Sequence, residues 1–242
     1  PCQGFSFAGK QLNFDDPRSA LFWEYVRLLK ECKPRYFLLE NVRMNQRSQD
    51  VITEALGVQP VPINSSLVSA QNRKRLYWTN IPFKYPFDKE IMLKDILEDG
   101  CVDRDKSHCI DANYFKGGNL KQYFEKHRRQ LVFSDDGMCH VAASGGNLEP
   151  KILQTARGWN KGGLKAEDGK TPSMTSSSWQ YNNHLTYDEG LTWRKLTPIE
   201  CERLQTVPDN YTAHVSNTQR YKMLGNGFTV DVISQILSGI KR

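Results

Sequence analysis

One stretch limits the folds open to this chain more than any other. Between residues 17 and 81 helical and strand signals alternate, and the strand signals break at charged or polar residues. Asp16-Pro17 supplies an N-cap and a first-turn proline. Leu21, Phe22, Tyr25, Val26, Leu28, Leu29 and Cys32 follow at helical spacing, and Pro34 closes the segment. Tyr36-Phe37-Leu38-Leu39 is a short continuous apolar run, the pattern of a buried parallel strand. A short helix is expected over 48–56, ended by Gly57, and strands over 60–69 and 75–81. This order implies an α/β fold.

The texture changes after Pro86. Gly117-Gly118, Gly145-Gly146 and Gly162-Gly163 punctuate poorly periodic stretches, so loops and brief strands are expected. Helical signals return at Thr197-Pro198-Ile199-Glu200, a capping box with proline at the first helical position, and at a second box, Ser216-Asn217-Thr218-Gln219. Gly225-Asn226-Gly227 interrupts the pattern before a closing helix that carries Val230, Val232, Ile233, Ile236, Leu237 and Ile240. The chain therefore divides into a core part at 1–85, an inserted domain at 86–192 and returning helices at 193–242 that complete the core. Charge follows the same division: 12 basic and 7 acidic side chains in the first part, 14 and 16 in the second, 7 and 4 in the third. Basic ends flank an insert whose own segment 151–185 is locally basic, which suits a loop facing a polyanion and equally a solvated surface. No apolar run approaches 18 residues, so no membrane span is expected. The six cysteines, at 2, 32, 101, 109, 139 and 201, form no regular framework, which fits a reduced setting. Cys101, His108, Cys109, Cys139 and His140 lack the paired spacing of a zinc site, and no metal is expected.

Three motifs carry chemistry together. Cys2 precedes a Gly, Ser, Asn and Asp-rich loop at 4–16, Glu40 ends the apolar run, and Arg73 and Arg75 alternate on one strand face. Singly each has an ordinary reading: an incidental thiol, a carboxylate paired with Arg43, two solvated strand residues. Jointly they suit a pyrimidine ring. Cytosine is a poor carbon nucleophile at position 5, and a thiolate adding at position 6 makes position 5 enamine-like. That addition needs a partly ionised thiol in an electropositive turn and a proton donor at ring nitrogen 3. Arginines bind the ring carbonyl and the developing charge.

From Pro1-Cys2-Gln3 onward the chain resembles the DNA (cytosine-5)-methyltransferase family, bacterial or phage type, over essentially its whole length. Glu40-Asn41-Val42, the Gln71/Arg73/Arg75 set, Arg194-x-Leu196-Thr197-Pro198-x-Glu200-x-x-Arg203-Leu204-Gln205-x-x-Pro208 and Gly225-Asn226 resemble the family's successive motifs. Leu21-Phe22 is similar to its helix-start pair, and Thr171-Pro172-Ser173-Met174-Thr175 to a recognition-domain element from which it departs at Ser173-Met174. The resemblance implies a partial Rossmann-like methyltransferase domain, a mostly parallel sheet with flanking helices, carrying a loop-rich target-recognition domain. It implies catalysis by Cys2, Glu40, Arg73 and Arg75, and substrate contacts from Gln3, Ser6, Asn41, Gln71 and Arg157. Pro1, Leu21, Gly225, Asn226 and Gly227 would meet S-adenosylmethionine. The other partner is double-stranded DNA with the target base flipped out, because position 6 is unreachable inside the stack. Asn160, Trp179, Gln180, Asn182 and Asn183 join Arg157 as candidate base readers. The family's glycine-rich turn and acidic strand end would precede Pro1, so the expectation is a fragment, or one part of a split enzyme whose partner chain carries the cofactor-binding half. A catalytically silent DNA-binding subunit and an RNA cytosine methyltransferase are the alternatives, and the setting expected is cytoplasmic.

Overall fold

The computed structural model describes residues 21–118, 123, 126–134 and 193–240, and the backbone of three strands between 151 and 186. Helix α1 (Leu21–Cys32) leads into strand β1 (Leu38–Val42). Helix α2 (Gln46–Leu56) starts at Asn45, whose side chain accepts a hydrogen bond from the Ser48 amide, and ends at Gly57. Gly57 adopts φ 71°, the left-handed conformation that glycine adopts without strain at a helix C-terminus. Strand β2 (Val61–Asn64) stops early because the Asn64 side chain accepts from the Ser66 amide and opens a 3₁₀ turn at Ser65–Leu67, inside the expected strand 60–69. Strands β3 (Gln71–Asn72) and β4 (Lys74–Thr79) follow, with Arg73 at the break between them.

Among the described residues the sheet is antiparallel in its pairings, where a mostly parallel one is expected. β4 lies between β1 and β2 and runs antiparallel to both. β1 and β2 therefore run the same way, as the strand–helix–strand order requires. The connection from β2 to β4 holds only nine residues and no α-helix, too short for a parallel crossover, so the chain returns antiparallel. The apolar run entering β1 is half-buried, and β1 edges this sheet among the described residues.

Alternation along β4 assigns its two faces. Leu76 and Trp78 pack with Phe22 and Val26 of α1 and Ile52 of α2, and the Trp78 indole donates to Thr53 Oγ1 at 3.0 Å. Tyr77 packs on the other face with Ile63, Ile81 and the Val232 and Ile236 side chains of a C-terminal helix.

A second core lies beside the sheet. A 3₁₀ turn at Leu93–Ile96, strand β5 (Ser107–His108), parallel to β3, a 3₁₀ turn at Tyr114–Lys116 and strand β6 (Leu131–Phe133) bring in Leu93, Ile96, Ile110, Tyr114 and Val132. Strands β7 (Lys151–Gln154), β8 (Gly163–Lys165) and β9 (His184–Thr186) form a separate antiparallel sheet, and β10 (Trp193–Lys195) pairs with β6. Helices α3 (Pro198–Leu204) and α4 (Asn217–Asn226) complete the second core through Leu196, Cys201, Leu204, Tyr221 and Leu224. Helix α5 (Val230–Leu237) is the one under the sheet. The Thr197–Glu200 capping box forms, and Glu200, fully buried, also receives both arms of the Arg194 guanidinium at 2.7 and 2.8 Å. The second expected box does not form, because Ser216 caps α4 without a side-chain hydrogen bond. No described helix is long and apolar enough to cross a membrane.

Candidate active site

The register of β1 on β4 builds the site. Glu40 faces Tyr77 directly, and alternation puts Arg75 on the face that holds Tyr77. Arg75 is thus the diagonal neighbour of Glu40, and its Nε lies 3.0 Å from Glu40 Oε1. The approach is off the N–H direction, so the contact is an ion pair more than a directed hydrogen bond. Both side chains are mostly covered, at 14% and 18% exposure. Burial pushes the Glu40 carboxyl above its ordinary value, and the positive charges of Arg75 and Arg73 pull it part of the way back. Glu40 therefore holds a proton more readily than a solvated glutamate while a cation stands ready for its ionised form. Burial and the neighbouring Glu40 charge raise Tyr77, which stays a neutral phenol.

The two arginines, expected as a pair, part company. Arg73 is 4% exposed. Its Nη1 donates to Ile110 O at 3.1 Å and lies 3.4 Å from the Cys109 sulfur, while its Nη2 donates to Gly227 O at 2.8 Å and Gly225 O at 3.3 Å. Its fork is spent on holding two backbone segments together. Among the described residues Arg75 Nη1 donates to Lys74 O at 2.9 Å and its Nη2 weakly to the Cys109 sulfur at 3.9 Å, while its Nε stays on the Glu40 carboxylate.

The other expected residues fall in several places. Asn41 is buried, and its side-chain oxygen accepts from the Val42 amide. Gln71 is fully buried, donating to Leu204 O at 2.6 Å and Gln205 Oε1 at 3.0 Å. Arg43, the alternative partner considered for Glu40, is exposed. Pro1, Cys2, Gln3, Ser6, Arg157, Asn160, Trp179, Gln180, Asn182 and Asn183, the loop at 4–16 and the Thr171–Thr175 element lie outside the described residues, as do Cys139 and His140.

Leu21 and Asn226 are both exposed, offering an apolar side chain and a carboxamide that suit the adenine and the polar groups of S-adenosylmethionine. Gly225 serves packing: a Cβ there would stand 2.2 Å from the Asp111 carbonyl carbon. The Gly227 carbonyl is taken by Arg73. Gln205 is the junction that the sequence names only as part of a motif. It receives Gln71 and Thr229 on its oxygen and donates to the Leu224 carbonyl at 2.5 Å.

A model of the C-5 cytosine-specific DNA methylase family matches residues 1–242. The type II methyltransferase M1.ScrFI of Lactococcus lactis subsp. cremoris is 27% identical over 260 residues, covering 98% of this chain and 59% of its own. The type II methyltransferase M.HpaII of Haemophilus parainfluenzae is 29% identical over 261 residues, covering 96% of this chain and 67% of its own. The chain thus spans about three-fifths to two-thirds of the length of these relatives. The solved structure of the Entamoeba histolytica methyltransferase EhMeth superposes with a TM-score of 0.54 at 15% identity, over 99% of this chain and 74% of that one, a likeness of fold.

Proposed function

The chain belongs to the C-5 cytosine-specific DNA methylase family, and from that membership we propose that it acts in methyl transfer to carbon 5 of a cytosine flipped out of duplex DNA. The observation that carries the reading is the covered Glu40–Arg75 pair, with its raised carboxyl, across strands β1 and β4. The family uses S-adenosylmethionine, which when bound would supply the electrophilic methyl group and leave as the neutral thioether, keeping the electron pair of the broken sulfur–methyl bond. The Cys2 thiolate forms a bond to ring carbon 6, and the electron pair gained at carbon 5 takes the methyl group. Glu40 gives its proton to ring nitrogen 3 as negative charge gathers there, and takes it back when the adduct collapses. Collapse removes the proton from carbon 5 to solvent base and expels the Cys2 thiolate, leaving the enzyme unchanged. Arg75 keeps the carboxylate in place between these transfers and binds the ring carbonyl. Arg73 acts one step back, fixing the strand from which Arg75 projects. Residues 86–192 read the target sequence, with Arg157 among the base contacts.

The test is a covalent trap: the chain, alone and together with a segment supplying the family's cofactor-binding half, S-adenosylmethionine and duplex DNA containing 5-fluorocytosine, in which the carbon-5 proton is replaced and collapse is blocked. A denaturation-resistant adduct is expected, absent in Cys2→Ser and formed about 10²–10⁴-fold more slowly in Glu40→Gln. Duplex binding with no adduct under any condition would turn the reading to a DNA-binding module.

A further inference from the structure

Next to the Glu40–Arg75 pair an open groove of about 550 Å³ is lined by Arg43, Gln46, Gln49, Lys74, Arg75 and Tyr85, together with Asn64 and apolar neighbours. Among the described residues three cations line it and no carboxylate does. Arg43 and Lys74 are both exposed and have no ion-pair partner among the described residues. Asp50, one turn along α2 from Gln46, is engaged by the Gln46 side chain at 2.7 Å. α2 also begins here without an acidic residue in its first turn, so the positive end of its dipole is not neutralised by its own sequence. Tyr85 adds a different element. The residue is 56% exposed, yet its hydroxyl donates to Pro62 O at 2.9 Å, which pins a flat apolar ring at the groove wall. Fixed cations beside a fixed aromatic face are the chemistry that holds a nucleic-acid strand: charge for the phosphates, a ring for the sugar or base between them.

We propose that this groove is the track for the sugar–phosphate backbone of the strand bearing the target cytosine, with Arg43 and Lys74 on its phosphates and the Tyr85 ring against the intervening sugar or base. The assignment rests on the DNA methylase reading above. Arg43, directly after Glu40-Asn41-Val42, and Lys74, between the two motif arginines, lie together just past the Val42–Arg75 pair that ends the β1–β4 register, and they hold the strand on that side of the residue that meets the extruded ring.

The experiment measures duplex DNA affinity of the full chain across a salt series. Arg43→Gln/Lys74→Gln should weaken binding at least tenfold at low salt and reduce the slope of log K against log salt by about 2. Lys30→Gln/Lys33→Gln removes the same charge beside Pro34 and Phe37, in a separate cleft that excludes Arg75, and should leave the slope as in wild type. Tyr85→Ala should weaken binding about tenfold at an unchanged slope, and Tyr85→Phe should restore it in part. An unchanged slope in the groove variant, or equal losses in groove and control variants, overturns the groove while leaving the methylase reading intact. A wild-type chain that binds no duplex DNA overturns both.

Discussion

The two arginines of the Gln71/Arg73/Arg75 set show how much one residue's surroundings decide. Their spacing makes them look equivalent. The structure divides them, because Arg73 falls at the break between β3 and β4 and reaches carbonyls of Ile110, Gly225 and Gly227. A lysine there keeps the charge and loses the fork. Arg73→Lys should therefore cost about 2–4 kcal/mol of stability in urea unfolding, since it strands buried carbonyls. Arg75→Lys should cost less, about 1–2 kcal/mol, because an ammonium keeps a charge beside Glu40 while Lys74 O and the Cys109 sulfur lose their donors. Glu40 was legible as a candidate from its place at the end of an apolar run. Its partner was not, since Arg43 is near in sequence while Arg75 becomes a neighbour only through the strand register.

Elements were legible where their signals are local. The Thr197–Glu200 box and the Gly57 stop both read directly from residue types, because a cap is satisfied within one turn. Ser216 carries the same letters without the cap bond, and β4 runs antiparallel because a short connection overrides the expectation set by alternation. The approach of α4 to the 111–112 turn is another feature that no local pattern announces. It depends on Gly225, where any Cβ would meet the Asp111 and Ala112 backbone at 2.2–2.4 Å. Gly225→Ala should destabilise by about 1–3 kcal/mol, checked as a fall in urea midpoint. It should also disturb the Gly225 and Gly227 carbonyls that hold Arg73, so a loss of duplex binding should accompany the loss of stability.

At the scale of the whole molecule, stability should depend on acid through His108. Burial, then the Arg104 and His127 charges, hold its imidazole down at about 4, against an ordinary value of 6.5. The unfolded chain takes up this proton first as pH falls. The contribution is complete above about 6.5 and declines as pH falls toward 4, by about 1–2 kcal/mol after allowance for partial exposure. Glu40 runs the other way: its raised carboxyl favours the fold at low pH and loses that contribution as pH rises through its folded value. Urea midpoints between pH 7 and pH 4 should thus drop more in wild type than in His108→Gln. The core beside the sheet has a consequence for synthesis. Arg73 leaves the ribosome 152 residues ahead of the Gly225 carbonyl it will grip, and Leu93 leaves well before Leu204 and Leu224. At about 5–20 residues synthesised per second that wait is roughly 8–30 s. For that interval a nascent chain carries a solvated guanidinium and an open apolar cluster, the surface that a chaperone near the exit tunnel is built to hold.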